Sequence, residues 1–160
     1  MVEIIPRSYL GSSPVEAIPL DEMHEGIEPW LQIQAPSEDF LNHLRLLLPR
    51  GKSWGDTEEY VSENEWESDL RIWRDDSCIS NIQFRYSPAG DPWSLMQDFL
   101  SIVSASGYLL VERDSGLILD PSEEVMRGQL MKSKAGQFLH DPKGTILQAA
   151  ADLKIGRENT

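Results

Sequence analysis

Leu70-Arg71-Ile72-Trp73-Arg74-Asp75-Asp76-Ser77-Cys78-Ile79-Ser80-Asn81-Ile82-Gln83-Phe84-Arg85-Tyr86 is the stretch that decides the fold. Leu70 and Ile72 alternate with Arg71 and Trp73, and Ile82, Phe84 and Tyr86 alternate with Asn81, Gln83 and Arg85. Period two with Asp75-Asp76-Ser77 turn chemistry between the runs predicts a β-hairpin with one face in the core. Its other face, with Arg71 and Arg85 among polar neighbours, reads as the watered side of an antiparallel sheet. Cys78, next to Ile79, is expected to be a small buried hydrophobe.

Downstream, Asp91-Pro92, Asp120-Pro121 and Asp141-Pro142 each precede a segment with helical periodicity. Asp is a good N-cap and Pro suits the first helical position, so each pair predicts a helix start. The first helix carries Met96, Phe99, Leu100 and Val103 and stops at Gly107; the second carries Val125, Leu130 and Met131, and the last Ile146, Leu147, Ala150 and Leu153. Between the first two, Tyr108 to Glu112 and Leu117 to Leu119 form a second hairpin around Arg113-Asp114-Ser115-Gly116. Upstream, Ser37 caps a helix whose apolar face is Phe40, Leu41, Leu44, Leu47 and Leu48, ending at Pro49-Arg50-Gly51. Met1 to Pro36, broken by Pro6, Pro14, Pro19, Pro29 and Pro36, reads as an irregular segment packed on the domain at 37–160, with room for a short strand at Trp30 to Gln34. The fold expected is α+β: an antiparallel sheet of four or five strands, built from two hairpins and covered on one face by the helices from Ser37, Pro92 and Pro121.

At 160 residues, with 40% hydrophobic and 26% charged residues, the chain can bury one core. A lone cysteine and an N-terminus interrupted by Glu3, Pro6 and Arg7 point to a cytoplasmic protein without signal peptide or membrane span. The charge of -13, from 27 acids against 14 bases, argues against nucleic acid, whose binding rests on Lys and Arg. His24, His43 and His140 have no metal-ligand spacing, and Gly51-Lys52-Ser53 lacks the first glycine of a phosphate loop. Adjacent carboxylates such as Glu58-Glu59 and Glu123-Glu124 do not by themselves make an acid–base pair, and Ser133-Lys134 would point to different helix faces. No catalytic residue, cofactor or metal is therefore expected. Calcium is a weaker alternative for the acids, because the ligand spacing and central glycine of an EF-hand are missing.

One segment stands above background. From Gly55 to Asp69 there are seven acids, Asp56, Glu58, Glu59, Glu63, Glu65, Glu67 and Asp69, and no base. Trp54, Tyr60, Trp66 and Trp73 lie in or beside it. Acids steer a basic partner and buried Trp and Tyr anchors carry binding energy, so Trp54, Asp56, Glu58, Glu59, Tyr60, Glu63, Glu65 and Trp66 are the expected partner-binding residues. The competing reading is a solvated acidic loop whose Trp54 and Trp66 plug the core edge. In that case the acidity serves solubility and the domain is structural or an adaptor, with homodimer formation through an exposed sheet edge.

Leu47-Leu48-Pro49-Arg50-Gly51-Lys52-Ser53-Trp54, the strand end Ile82-Gln83-Phe84-Arg85-Tyr86, and Ser133-Lys134-Ala135-Gly136-Gln137-Phe138-Leu139-His140-Asp141-Pro142 resemble elements shared by a group of small bacterial proteins. The resemblance covers about Phe40 to Leu153. Such proteins look like the immunity partners kept beside antibacterial toxins. It implies a non-enzymatic inhibitor of a basic toxin or nuclease and carries over no catalytic residue.

Overall fold

The computed structural model describes residues 1–12, 15–63 and 67–132. The chain divides into two compact units, Met1–Glu123 and Glu124–Thr160. The first contains a six-stranded antiparallel sheet in the order β2-β3-β4-β1-β5-β6. The strands are β1 (Val2–Ile5), β2 (Thr57–Val61), β3 (Asp69–Asp75), β4 (Cys78–Arg85), β5 (Leu109–Glu112) and β6 (Ile118–Leu119). Helices α1 (Leu20–Glu25), α2 (Glu38–Arg45) and α3 (Trp93–Ala105) belong with it, and α4 (Glu123–Lys132) makes up most of what is described of the second unit. The expected α+β class and both hairpins are present. The expected helix at Ile146 to Leu153 and the Asp141-Pro142 helix start lie outside the described residues.

The β3–β4 hairpin closes on Asp76-Ser77 alone, since Asp75 pairs with Cys78. Both turn residues take positive φ (44° and 72°), as a type I′ turn requires. Pairing sets Tyr60, Leu70, Ile72, Ile82, Phe84, Val2, Ile4 and Leu110 on one face. Helix α3 brings Met96, Phe99, Leu100 and Val103 to the core at helical spacing, and Phe99 stacks on Phe84 with ring centroids 4.1 Å apart. Helix α2 is capped as expected, Ser37 Oγ accepting from the Phe40 amide at 3.2 Å. Asp91 departs from its expected capping role: its Oδ2 accepts from the Ser68 amide at 3.1 Å, tying the start of β3 to the loop before α3.

Three further expectations are corrected. Met1 to Pro36 is not wholly irregular, because Val2–Ile5 forms β1 between β4 and β5. Trp30 to Gln34 is not a strand; Trp30 is instead buried in a turn, with its indole N–H donating to the Ile4 carbonyl at 3.1 Å. Cys78 is exposed, since the first residue after the hairpin turn lies at the sheet's rim while burial begins at Ile79.

The second sheet face is also covered in part. Ile5, Leu109 and Val111 pack with Ile18, Met23 and Ile27 of the N-terminal segment. Asn81 and Gln83, which alternation assigns to water, are accordingly buried. Both sheet edges are occupied by backbone. On β2, Gly51 N–H donates to Glu59 O (2.8 Å) and Val61 N–H to Pro49 O (2.9 Å). On β6, Ile118 N–H donates to Glu16 O (2.9 Å) and Ile18 N–H to Gly116 O (2.8 Å). Among the described residues, no helix is long and apolar enough to cross a membrane.

Candidate functional site

Thr57–Val61 gives the acidic segment a strand in its middle, and the strand sorts its acids. Glu58 faces the helix side of the sheet, opposite Ile72. There Arg45, at the end of α2, donates to both of its oxygens (Nε to Oε2 2.9 Å, Nη2 to Oε1 3.0 Å). Arg74 Nη2 donates at 2.7 Å and the Tyr60 hydroxyl at 3.0 Å. The Arg45 hydrogen bonds, helped by those from Arg74 and Tyr60 and opposed by burial, hold the Glu58 carboxyl down at about 2. Burial, and then the Glu58 carboxylate, push the Tyr60 phenol up. Arg45 also reaches Glu38 at 2.7 Å, so this cluster fastens α2 to β2 and β3.

On the other face Glu59 receives Arg71 Nε at 3.1 Å. Asp69 is 2% exposed between Arg71 and Arg85. Glu58, Glu59, Tyr60 and Asp69 are thus engaged within the fold. Glu63 and Glu67 are exposed at the far end of β2, and Glu65 and Trp66 lie outside the described residues.

Trp54 and Asp56 occupy the near end. Trp54 bridges back to Thr57 through a turn in which Gly55 takes φ +55°, and Thr57 pairs with Trp73. Trp54, Thr57 and Trp73 therefore share one cross-strand row, with the two tryptophans two inter-strand steps, about 10 Å, apart. Trp54 is 70% exposed and Trp73 38%. The β3–β4 turn, carrying Asp75 and Asp76, is at the same end, and both aspartates are exposed, as is Asp56. Trp73 is anchored by its indole N–H, which donates to Gln83 Oε1 at 3.2 Å, and Lys52 Nζ stands 5.4 Å from the centre of the Trp54 ring. Of the expected partner-binding residues, Trp54 and Asp56 lie at this end; Trp73, noted beside the acidic segment, is not counted among them, and neither are Asp75 and Asp76. The signal that could have joined them was the hairpin turn, had the TEEYV segment been recognised as the neighbouring strand.

Two other places were weighed against this end. Glu3, 2% exposed in β1, accepts from Asn81 Nδ2 (2.7 Å) and Gln83 Nε2 (3.2 Å), with Arg113 at 3.8 Å. Burial pushes its carboxyl up against those donors. An open groove of about 710 Å³ beside β6 is floored by Leu10, Leu109 and Ile118, with the exposed Arg7–Asp120 pair (3.2 Å) among its lining. Among the described residues, no three His, Cys, Asp or Glu side chains converge on a metal-sized site. No protein family, curated protein or solved structure matches this chain.

Proposed function

We propose that this protein is a non-enzymatic binding module that captures a basic protein at the Trp54–Trp73 end of its sheet. Its role on this reading is that of an immunity-type inhibitor that neutralises a bacterial toxin in the cytoplasm. The observation that carries the reading is the row of two exposed tryptophans beside exposed Asp56, Asp75 and Asp76. Large aromatics that a monomer leaves in water are the anchors interfaces use, and unpaired acids around them speed encounter with a basic partner. Glu58, Glu59 and Tyr60 then serve as scaffold beneath the surface rather than as contacts.

Self-association through a sheet edge is disfavoured by the backbone bonds that already fill the outward sides of β2 and β6. The test is capture of partners from the source cell on the tagged protein at low and moderate salt, with the combined Asp56→Asn, Asp75→Asn and Asp76→Asn variant and Trp54→Ala alongside. A basic protein retained by the wild type, inhibited by it, and lost from both variants is the expected result. Retention unchanged in both variants would refute this surface.

A further inference from the structure

The Trp54 ring is exposed, yet one position near it is filled: Lys52 Nζ, 5.4 Å from the ring centre. A cation over an indole face is held by the ring quadrupole. Here the chain supplies the cation from two residues away, and neither Lys52 nor Trp54 has another charged or hydrogen-bonded side-chain partner among the described residues. Asp56 lies in the Trp54–Thr57 turn, and Asp75 and Asp76 lie in the β3–β4 turn at the same sheet end. An ammonium is compact and strongly hydrated, so it suits this place poorly. A guanidinium is planar and more weakly hydrated; it can lie flat on the indole while its forked N–H groups reach a carboxylate.

We infer that Trp54 is the socket for an arginine of the basic partner, whose guanidinium displaces Lys52 from the ring and pairs with Asp56 of the same turn. This inference rests on the binding role proposed above and specifies its chemistry. Lys52 then acts as an intramolecular competitor that keeps the ring occupied until a better cation arrives.

The experiment titrates the full chain with oligo-arginine and oligo-lysine peptides of equal length, following the Trp54 indole N–H resonance, assigned by its loss in Trp54→Ala. The arginine peptide should bind tighter by roughly two- to five-fold, the range of an exposed cation–π contact, and should shift the Trp54 resonance. That preference should shrink in Trp54→Ala, leaving only what the carboxylates contribute. Lys52→Gln removes a positive charge and will strengthen binding in any background, so the informative quantity is the coupling: its gain for the arginine peptide should be larger with Trp54 present than in Trp54→Ala.

An arginine preference undiminished in Trp54→Ala, or equal gains from Lys52→Gln in both backgrounds, would overturn the inference. If both peptides bind equally and are lost on Asp56→Asn with Asp75→Asn, the arginine socket falls while the acidic binding end stands. If neither peptide binds, or neutralising the aspartates changes nothing, both fall together.

Discussion

At the scale of single residues, Glu58 shows how a reading of charge alone misassigns a side chain. In the sequence it is one of seven acids in a base-free run; in the fold it is the acceptor of Arg45, Arg74 and Tyr60. The bases that pair with it come from α2 and β3, so both lie outside the base-free run in which Glu58 sits. Its folded carboxyl is lowered to about 2, which means the ionised form stabilises the fold. That contribution is complete above the unfolded value near 4.5 and disappears as pH falls towards 2. Glu58→Gln should therefore cost about 1–2 kcal/mol at neutral pH after solvent screening is allowed for. Denaturant titrations at several pH values should show the gap between variant and wild type closing below pH 4.5; a gap independent of pH would contradict the assignment. Glu3 acts in the opposite sense. Its carboxyl is raised by burial, so ionising it costs stability, and its contribution falls as pH rises through the raised folded value.

Among elements, legibility followed local pattern. The β3–β4 hairpin was readable because hydrophobic alternation, a two-residue turn and strand length agreed. Helix α3 was readable because Met96, Phe99, Leu100 and Val103 recur at helical spacing. Strand β1 was hidden by its brevity, by Glu3 in its middle and by Pro6 directly after it. Strand β2 was hidden because adjacent Glu58 and Glu59 mask the period of two, and only pairing with β3 reveals that they point to opposite faces.

The covered edges offer a further prediction. Gly116 has φ +69°, and a Cβ there would stand 2.1 Å from the Ile18 carbonyl oxygen. Ile18 N–H donates to Gly116 O, so strain at this point strikes the cover of β6. Gly116→Ala should destabilise the protein by upwards of about 2 kcal/mol in thermal or denaturant unfolding. A loss of only a few tenths would show that the 16–18 segment is not held against β6.

For the whole molecule, the surplus of acids is not spread evenly in its consequences. Those in the middle of β2 are matched by arginines within the first unit, while Asp56, Asp75 and Asp76 at one end and Glu63 and Glu67 at the other have no basic partner among the described residues. Only the first end also carries exposed tryptophans among the described residues. On the proposed reading, long-range attraction of a basic partner comes from the net charge of -13, and orientation and residence from the end that carries the tryptophans. Trp54→Ala should accordingly speed dissociation with little effect on association, which surface-immobilised kinetics would separate. On the proposed reading the sign of the partner is an inference from composition, whereas the choice of end rests on the register of β2 on β3.

The most direct measurement compares association rates of the captured basic partner across a salt series for two variants of equal charge, Asp56→Asn with Asp75→Asn and Glu63→Gln with Glu67→Gln. Binding at the tryptophan end predicts that the first variant slows association several-fold at low salt and flattens its salt dependence, while the second stays near wild type. Equal slowing in both, or slowing only in the second, would contradict it.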